Sequence, residues 1–76
     1  MPWTKADLRL AEKHIVRARE IVARQETIIR ELQRDNHDTS QAEQLLENFR
    51  RSLDVLLQHK RSIEDLLNRD LQSGGL

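Results

Sequence analysis

The stretch LRLAEKHIVRAREIVARQETIIREL, residues 8–32, decides the fold of this chain. Its seam residues recur at alternating steps of three and four, the spacing that keeps one side of a long α-helix turned toward a partner. No Gly or Pro interrupts the stretch, so nothing in it ends the helix. The seam positions are Leu8, Ala11, Ile15, Ala18, Val22, Gln25, Ile29 and Leu32.

A second apolar ladder follows after a short polar break. Its members are Ala42, Leu45, Leu46, Phe49, Leu53, Leu56, Leu57, Ile63, Leu66, Leu67 and Leu71. A short loop between two long amphipathic helices makes them antiparallel neighbours. We therefore predict an all-α fold, an antiparallel two-helix hairpin of the coiled-coil type. It forms one domain over residues 1–76, with a helix over 4–36, a turn over 36–39 and a helix over 40–72.

The first helix has a start signal at its N-terminus. Thr4 followed three residues later by Asp7 is a shortened capping box, in which each side chain bonds the other residue's backbone N–H. Trp3 precedes the cap and Leu8 comes four residues after it, the spacing of a hydrophobic staple. We interpret Trp3 as that staple, with an anchor for a ligand or partner as the alternative.

The turn contains a stop signal and a second start signal. Asn36 tolerates the left-handed conformation that ends many helices. Ser40 is slightly preferred over Asp38 as the capping residue that begins the second helix. The segment Ser73-Gly74-Gly75 is expected to end that helix.

Two helices alone do not cover all of this apolar surface. Ile21 and Ile28 flank the first seam, Leu10 and Val16 lie further round, and the second ladder is two residues wide at several turns. Large contiguous apolar patches are uncommon on soluble monomers. We predict that two hairpins dimerise into a four-helix bundle, with another helical protein as the alternative partner. The predicted core and dimer interface consists of Leu8, Ile15, Val22, Ile29, Leu32, Leu46, Phe49, Leu53, Leu56, Ile63 and Leu67.

Polar residues interrupt both seams. Gln25 lies in the first ladder, and His59 and Lys60 lie in the second. Such residues can fix register and oligomeric state at some cost in stability. For Gln25 and Lys60 we expect positions at the edge of the core, with the head groups in solvent.

The composition leaves little material for catalysis. The chain has no Cys, and its two glycines lie at the C-terminus, so thiol chemistry and a Gly-rich phosphate loop are excluded. Its hydroxyl residues occupy caps or exposed helix positions, without a base to activate them. We expect a non-enzymatic protein without a cofactor or small-molecule ligand. No apolar run approaches the ~20 residues that cross a bilayer, and the start is not that of a signal peptide, so we expect no membrane partner and a cytoplasmic location.

The histidines are the remaining candidates for metal or proton chemistry. Antiparallel pairing places His14 and His59 at nearly the same level, so a dimer could present four imidazoles. The i, i+4 ligand pairs common in helical zinc sites are absent, and we expect no metal site. His59, which alternates with Leu56 and Ile63, is expected to be the more buried of the two. His37 lies in the turn and is interpreted as a solvated loop residue.

A nucleic-acid role is the alternative to a protein partner. Thirteen basic and thirteen acidic residues cancel, whereas binders of nucleic acid usually carry a basic excess. Lys13, Arg17 and Arg24 nevertheless fall along one outer stripe of the first helix, and the architecture is similar to that of Rop-like dimeric RNA-binding hairpins. Because Glu20 and Glu31 share the stripe, a charge-mixed solvated face is the preferred interpretation.

Three short elements carry a resemblance to a known group of proteins. They are His14-Ile15, Ala23-Arg24-Gln25 and His37-Asp38-Thr39, followed by the leucine-rich second helix. In these the chain resembles small helical-hairpin proteins that are frequent among rhizobial-type alphaproteobacteria and have no known activity. The resemblance covers most of the chain. It implies a helical hairpin from a cytoplasmic bacterial protein and implies no activity.

Overall fold

The computed structural model describes residues 3–74, and the side chains of residues 3–69. This part of the chain consists of two helices, α1 (Lys5–Arg34) and α2 (Ser40–Gly74), which pack against each other along their length. The rod that they form measures 63 × 15 × 15 Å. The predicted all-helical, antiparallel hairpin is confirmed.

Helix α1 begins at the predicted capping box. The backbone N–H of Asp7 donates to the Thr4 hydroxyl oxygen at 3.3 Å, and the Thr4 N–H donates to Asp7 Oδ2 at 2.8 Å. Thr4 itself has extended backbone geometry, as an N-cap requires. Two backbone donors that the first turn leaves without helical partners are thereby bonded.

Helix α1 ends in a Schellman motif. Asn36 has φ 59°, the left-handed conformation predicted for it. This reversal lets the His37 N–H donate to the Leu32 carbonyl at 2.8 Å, and the Asn36 N–H to the Gln33 carbonyl at 3.1 Å. The helix therefore stops two residues earlier than the predicted residue 36, and the chain turns back toward α1.

The side chain that caps α2 is Asp38, which corrects the preference for Ser40. Asp38 Oδ1 accepts from the Ser40 backbone N–H at 3.0 Å and from the Ser40 hydroxyl at 2.7 Å. Ser40 is instead the first residue of the helix, and the Glu43 N–H donates back to the Thr39 carbonyl. The backbone N–H and then the hydroxyl of Ser40 lower the pKa of the Asp38 carboxyl, because both bonds favour its charged form.

Helix α2 continues beyond the predicted end at residue 72. The described helix includes Ser73 and Gly74. A single glycine lowers helix propensity by about 1 kcal/mol but retains its backbone N–H, so it does not force a stop. Gly75 and the side chain of Leu71, which belong to the predicted stop and the predicted ladder, lie outside the described residues.

The core is the predicted seam between the two helices. Its most buried apolar side chains are Ala11, Ile15, Ile29, Leu46 and Ile63. Other predicted seam residues, among them Leu8, Val22 and Phe49, are half-buried. Because a two-helix layer covers each seam from one side only, most of these side chains retain contact with solvent.

Gln25 is buried, which corrects its predicted place at the edge of the core. Only 6% of the residue is exposed, and its Nε2 donates a 2.9 Å hydrogen bond to the backbone carbonyl of Ala42 on α2. A buried amide costs free energy unless it is hydrogen-bonded, and this bond meets that need. Lys60 is half-buried, in line with its prediction.

Candidate functional site

The two edges of the hairpin differ in polarity. The 3-4 spacing places Glu26 and Arg50 at e positions of the heptad, on one side of the seam in both helices. Their side chains form an ion pair across that edge, with Arg50 Nη2 3.2 Å from Glu26 Oε2. The other e residues, except Leu57, are also polar. We call this side the polar edge.

The opposite side of the hairpin carries most of the exposed hydrophobic side chains. It consists of the g positions of the two helices together with the neighbouring c positions, where these hydrophobic residues alternate with polar ones such as His14, Arg17 and Ser52. Four of the five exposed large hydrophobic side chains lie there, and Val55 is 63% exposed. We call this side the apolar face and define it by Leu10, Ile21, Ile28, Leu45, Val55 and Leu66.

The remaining exposed hydrophobic residue lies elsewhere. Val16 is 57% exposed and occupies a depression on the outer side of α1 with Arg9, Glu12 and Lys13. It stands alone among charged residues, as single surface hydrophobic residues commonly do. The apolar face is different because its residues come from both helices and run along α1 for about 27 Å, from Leu10 to Ile28, at ~1.5 Å per residue.

The exposed area of the chain is large for its mass. The hairpin exposes 6164 Å², whereas a compact monomer of this mass, 9.0 kDa, exposes about 4,900 Å². The excess is about 1,300 Å², and a standard protein interface removes about 800 Å² from each partner. The surface that a hairpin cannot bury alone is therefore large enough to form an interface.

His14 and His59 lie together on the apolar face, as their predicted common level requires. Both line one depression, with Leu10 and Ile63 beside them. Both are exposed, which corrects the predicted burial of His59. The half-buried Lys60 occupies the seam position between Leu56 and Ile63, and this places His59 beside the seam rather than in it.

Trp3 reaches across the hairpin to α2. Its ring lies edge-on to the imidazole of His59, with centroids 5.3 Å apart and planes at 77°. The ring shares the depression of the two histidines, whereas Leu8, its predicted staple partner, lines a different depression with Leu67. Trp3 therefore connects the start of α1 to α2 at the open end of the hairpin.

The predicted nucleic-acid residues lie between the apolar face and the outer side of α1. Arg17 and Arg24 are c positions that border the apolar face, Lys13 is a neighbouring f position, and all three are exposed. Arg17 Nη1 lies 3.4 Å from Glu20 Oε2, so one of the three positive charges is paired with a carboxylate of the same stripe. Glu20, one of the two acidic residues of this stripe, therefore offsets part of its positive charge.

The predicted interface residues occupy the seam inside one hairpin. Among them Ile15, Ile29, Leu46 and Ile63 are buried, and the others are half-buried. The exposed apolar face lies beside this set. Most of its members belong to the apolar residues predicted from the sequence, but Val55 was missed, and Leu10 and Val16 were grouped although they lie on different sides. The signal that identifies Val55 is its heptad position, a c position between the g positions of Ser52 and His59.

The described side chains form no metal cluster in one copy of the chain. No group of three or more His, Cys, Asp or Glu side chains within this part of the chain could hold a metal ion. Neither described helix has a segment long and apolar enough to span a bilayer. Comparison with models of protein families, with curated proteins and with solved structures finds no match to this chain.

Proposed function

We propose that this protein is a non-enzymatic oligomerisation module that pairs with a second copy of itself through the apolar face. Two hairpins stacked face to face would form a four-helix bundle. The observation that carries the proposal is the clustering of four of the five exposed large hydrophobic side chains on one side of the hairpin. A protein that acts only as a monomer gains nothing from such a surface.

The shape of the face favours a second copy as the partner. The face is two helices wide, because Leu10, Ile21 and Ile28 come from α1 and Leu45, Val55 and Leu66 come from α2. A single partner helix would leave part of that width in water. A second hairpin presents an apolar surface of the same width and length, and a two-fold axis makes such a surface complementary to itself.

The polar edge supports the same arrangement. The Glu26–Arg50 pair and its polar neighbours remain hydrated when only the apolar face is covered. Pairing through the opposite side would instead bury these charges, which costs more free energy than it returns unless each charge is well paired. The amphipathic character of the whole hairpin therefore selects one side for assembly.

A pair of matched substitutions tests the proposal. Val55 and Val16 are similarly exposed valines on α2 and α1, and only Val55 belongs to the apolar face. We expect Val55→Lys to weaken the dimer, because it places an ammonium group among the exposed hydrophobic side chains that the second copy would cover. We expect Val16→Lys to leave the dimer unchanged. Sedimentation equilibrium over a range of concentrations measures both, and circular dichroism shows whether each variant remains helical.

Two results would contradict the proposal. One is a parent chain that is folded and monomeric at every concentration. The other is a dimer that both lysine variants weaken equally, since the apolar face would then have no special part in assembly.

A further inference from the structure

We infer that the dimer holds a divalent transition metal of the Zn²⁺ class between four imidazoles, those of His14 and His59 from each copy. This inference rests on the proposed dimerisation. Each chain supplies half of a tetrahedral ligand set, and the site is incomplete without the second copy. We expected no metal site because neither helix carries histidines at i, i+4. The structure places His14 and His59, which come from different helices, in one depression.

The two histidines point to the side that the partner would cover. Both are exposed, both line the same depression, and both occupy g positions at one level of the rod. In a bundle of two stacked hairpins, g positions lie beside the seam on the side that faces the second hairpin. Dimerisation would cover these imidazoles together with the Trp3 ring, which already packs edge-on to His59.

The charges beside the apolar face favour one of two stacking modes. In one mode α1 lies against α1 of the second copy, and in the other α1 lies against α2. On α1, the border of the apolar face carries Arg17, which pairs with Glu20, and Arg24. The first mode places these two arginines near those of the second copy, so their like charges repel. The border of α2 carries Asn48 and Val55 at the same levels, and both are uncharged. The second mode avoids the repulsion.

The favoured mode brings the four imidazoles to one level. When α1 lies against α2 of the second copy, the two-fold axis runs along the rod and each level of one hairpin meets the same level of the other. The layer at His14 and His59 then contains four imidazoles around the axis. In the other mode the two-fold axis crosses the rod, and the histidine pairs of the two copies lie at separate levels.

A metal ion meets the needs of such a layer. Imidazole nitrogens taken out of water require partners, and an unsatisfied buried polar group is costly. Zn²⁺ accepts neutral imidazole nitrogen and prefers four ligands in a tetrahedron. Asp7 lines the same depression in each copy and adds negative charge beside the cation. One of its oxygens is already bonded to the Thr4 cap, so we assign Asp7 no role as a ligand.

Metal titrations of the whole chain test this inference. The chain is first stripped with a chelator and then titrated with ZnCl₂ by calorimetry at a slightly alkaline pH, because metal affinity depends on pH. We expect one Zn²⁺ per two chains, and loss of binding in His14→Ala and in His59→Ala. The matched control is His37→Ala, which removes the exposed histidine of the turn and should bind as the parent does. Titration with Co²⁺ should give the strong visible absorption of a tetrahedral site.

Sedimentation of the same samples separates this inference from the proposed function. A metal-free parent chain that is monomeric contradicts the dimer itself. If the parent is a dimer, the metal site is overturned by the absence of Zn²⁺ binding, by one Zn²⁺ per single chain, or by equal loss of binding in the His37→Ala control. A dimer whose binding is lost only with His14 or His59 supports the inference.

Discussion

The side-chain amide of Gln25 on α1 donates a 2.9 Å hydrogen bond to the backbone carbonyl of Ala42 on α2. The amide is buried, and its bond joins the two helices near the closed end of the hairpin. Two helices with purely apolar seams can shift along each other at little cost in free energy. A buried amide prevents this, because it finds its hydrogen-bond partner at one register only. This bond therefore fixes the register of α2 against α1.

Replacing Gln25 by two different residues separates its polar and its packing contributions. Gln25→Ala removes both the bond and the buried volume, and we expect the free energy of unfolding to fall by about 1–3 kcal/mol. Gln25→Leu should be equal to the parent or more stable, because the Ala42 carbonyl still accepts the bond of its own helix. Urea denaturation measures both. A Gln25→Ala chain as stable as the parent would show that the bond contributes nothing.

Ile63 is the side chain on which the seam depends most. It is 1% exposed, less than any other described hydrophobic residue of the core. Ile63→Ala should lower the free energy of unfolding by about 2–5 kcal/mol, since deleting buried methylene groups loses their transfer energy and leaves a cavity. The exposed Val16→Ala is the control and should change it by no more than about 0.5 kcal/mol. Similar losses in the two variants would mean that the seam is not the core.

Asp38 should make the stability of the hairpin depend on acid pH. The two bonds from Ser40 lower the pKa of Asp38 in the folded state. Its contribution to the free energy of unfolding is therefore fully present above the unfolded pKa, about 3.9, and is lost as pH falls through the lower folded pKa. Asp38→Ala should melt at a lower temperature than the parent at neutral pH, and the difference should disappear in acid. Asp38→Asn keeps an acceptor oxygen but does not titrate, so its melting temperature should lack this acid response. A difference between parent and Asp38→Ala that persists at the lowest pH would contradict the assignment.

The fold was predictable because its signals are local. The 3-4 spacing defines the seam, and Asn36 marks the turn through a backbone preference of its own. The choice between Asp38 and Ser40 was not predictable from spacing, since both fit a capping pattern. It depends on the loop conformation that aims the Asp38 carboxylate at the Ser40 N–H.

The candidate site was less predictable because its features combine two helices. The burial of Gln25 depends on a carbonyl that only α2 supplies. Val55 lies outside the apolar ladder of the second helix in the sequence. It joins other exposed hydrophobic residues only when the g and c positions of both helices are placed on one side of the hairpin. The contact of Trp3 with His59 likewise joins residues far apart in the sequence, so local spacing gives no sign of it.

Sedimentation equilibrium of the parent chain shows whether the apolar face pairs two copies. We predict a species of twice the 9.0 kDa chain mass that dissociates on dilution, with helical circular dichroism retained in the dimer. A helical species of single-chain mass at all concentrations would contradict the proposal that the apolar face pairs two copies.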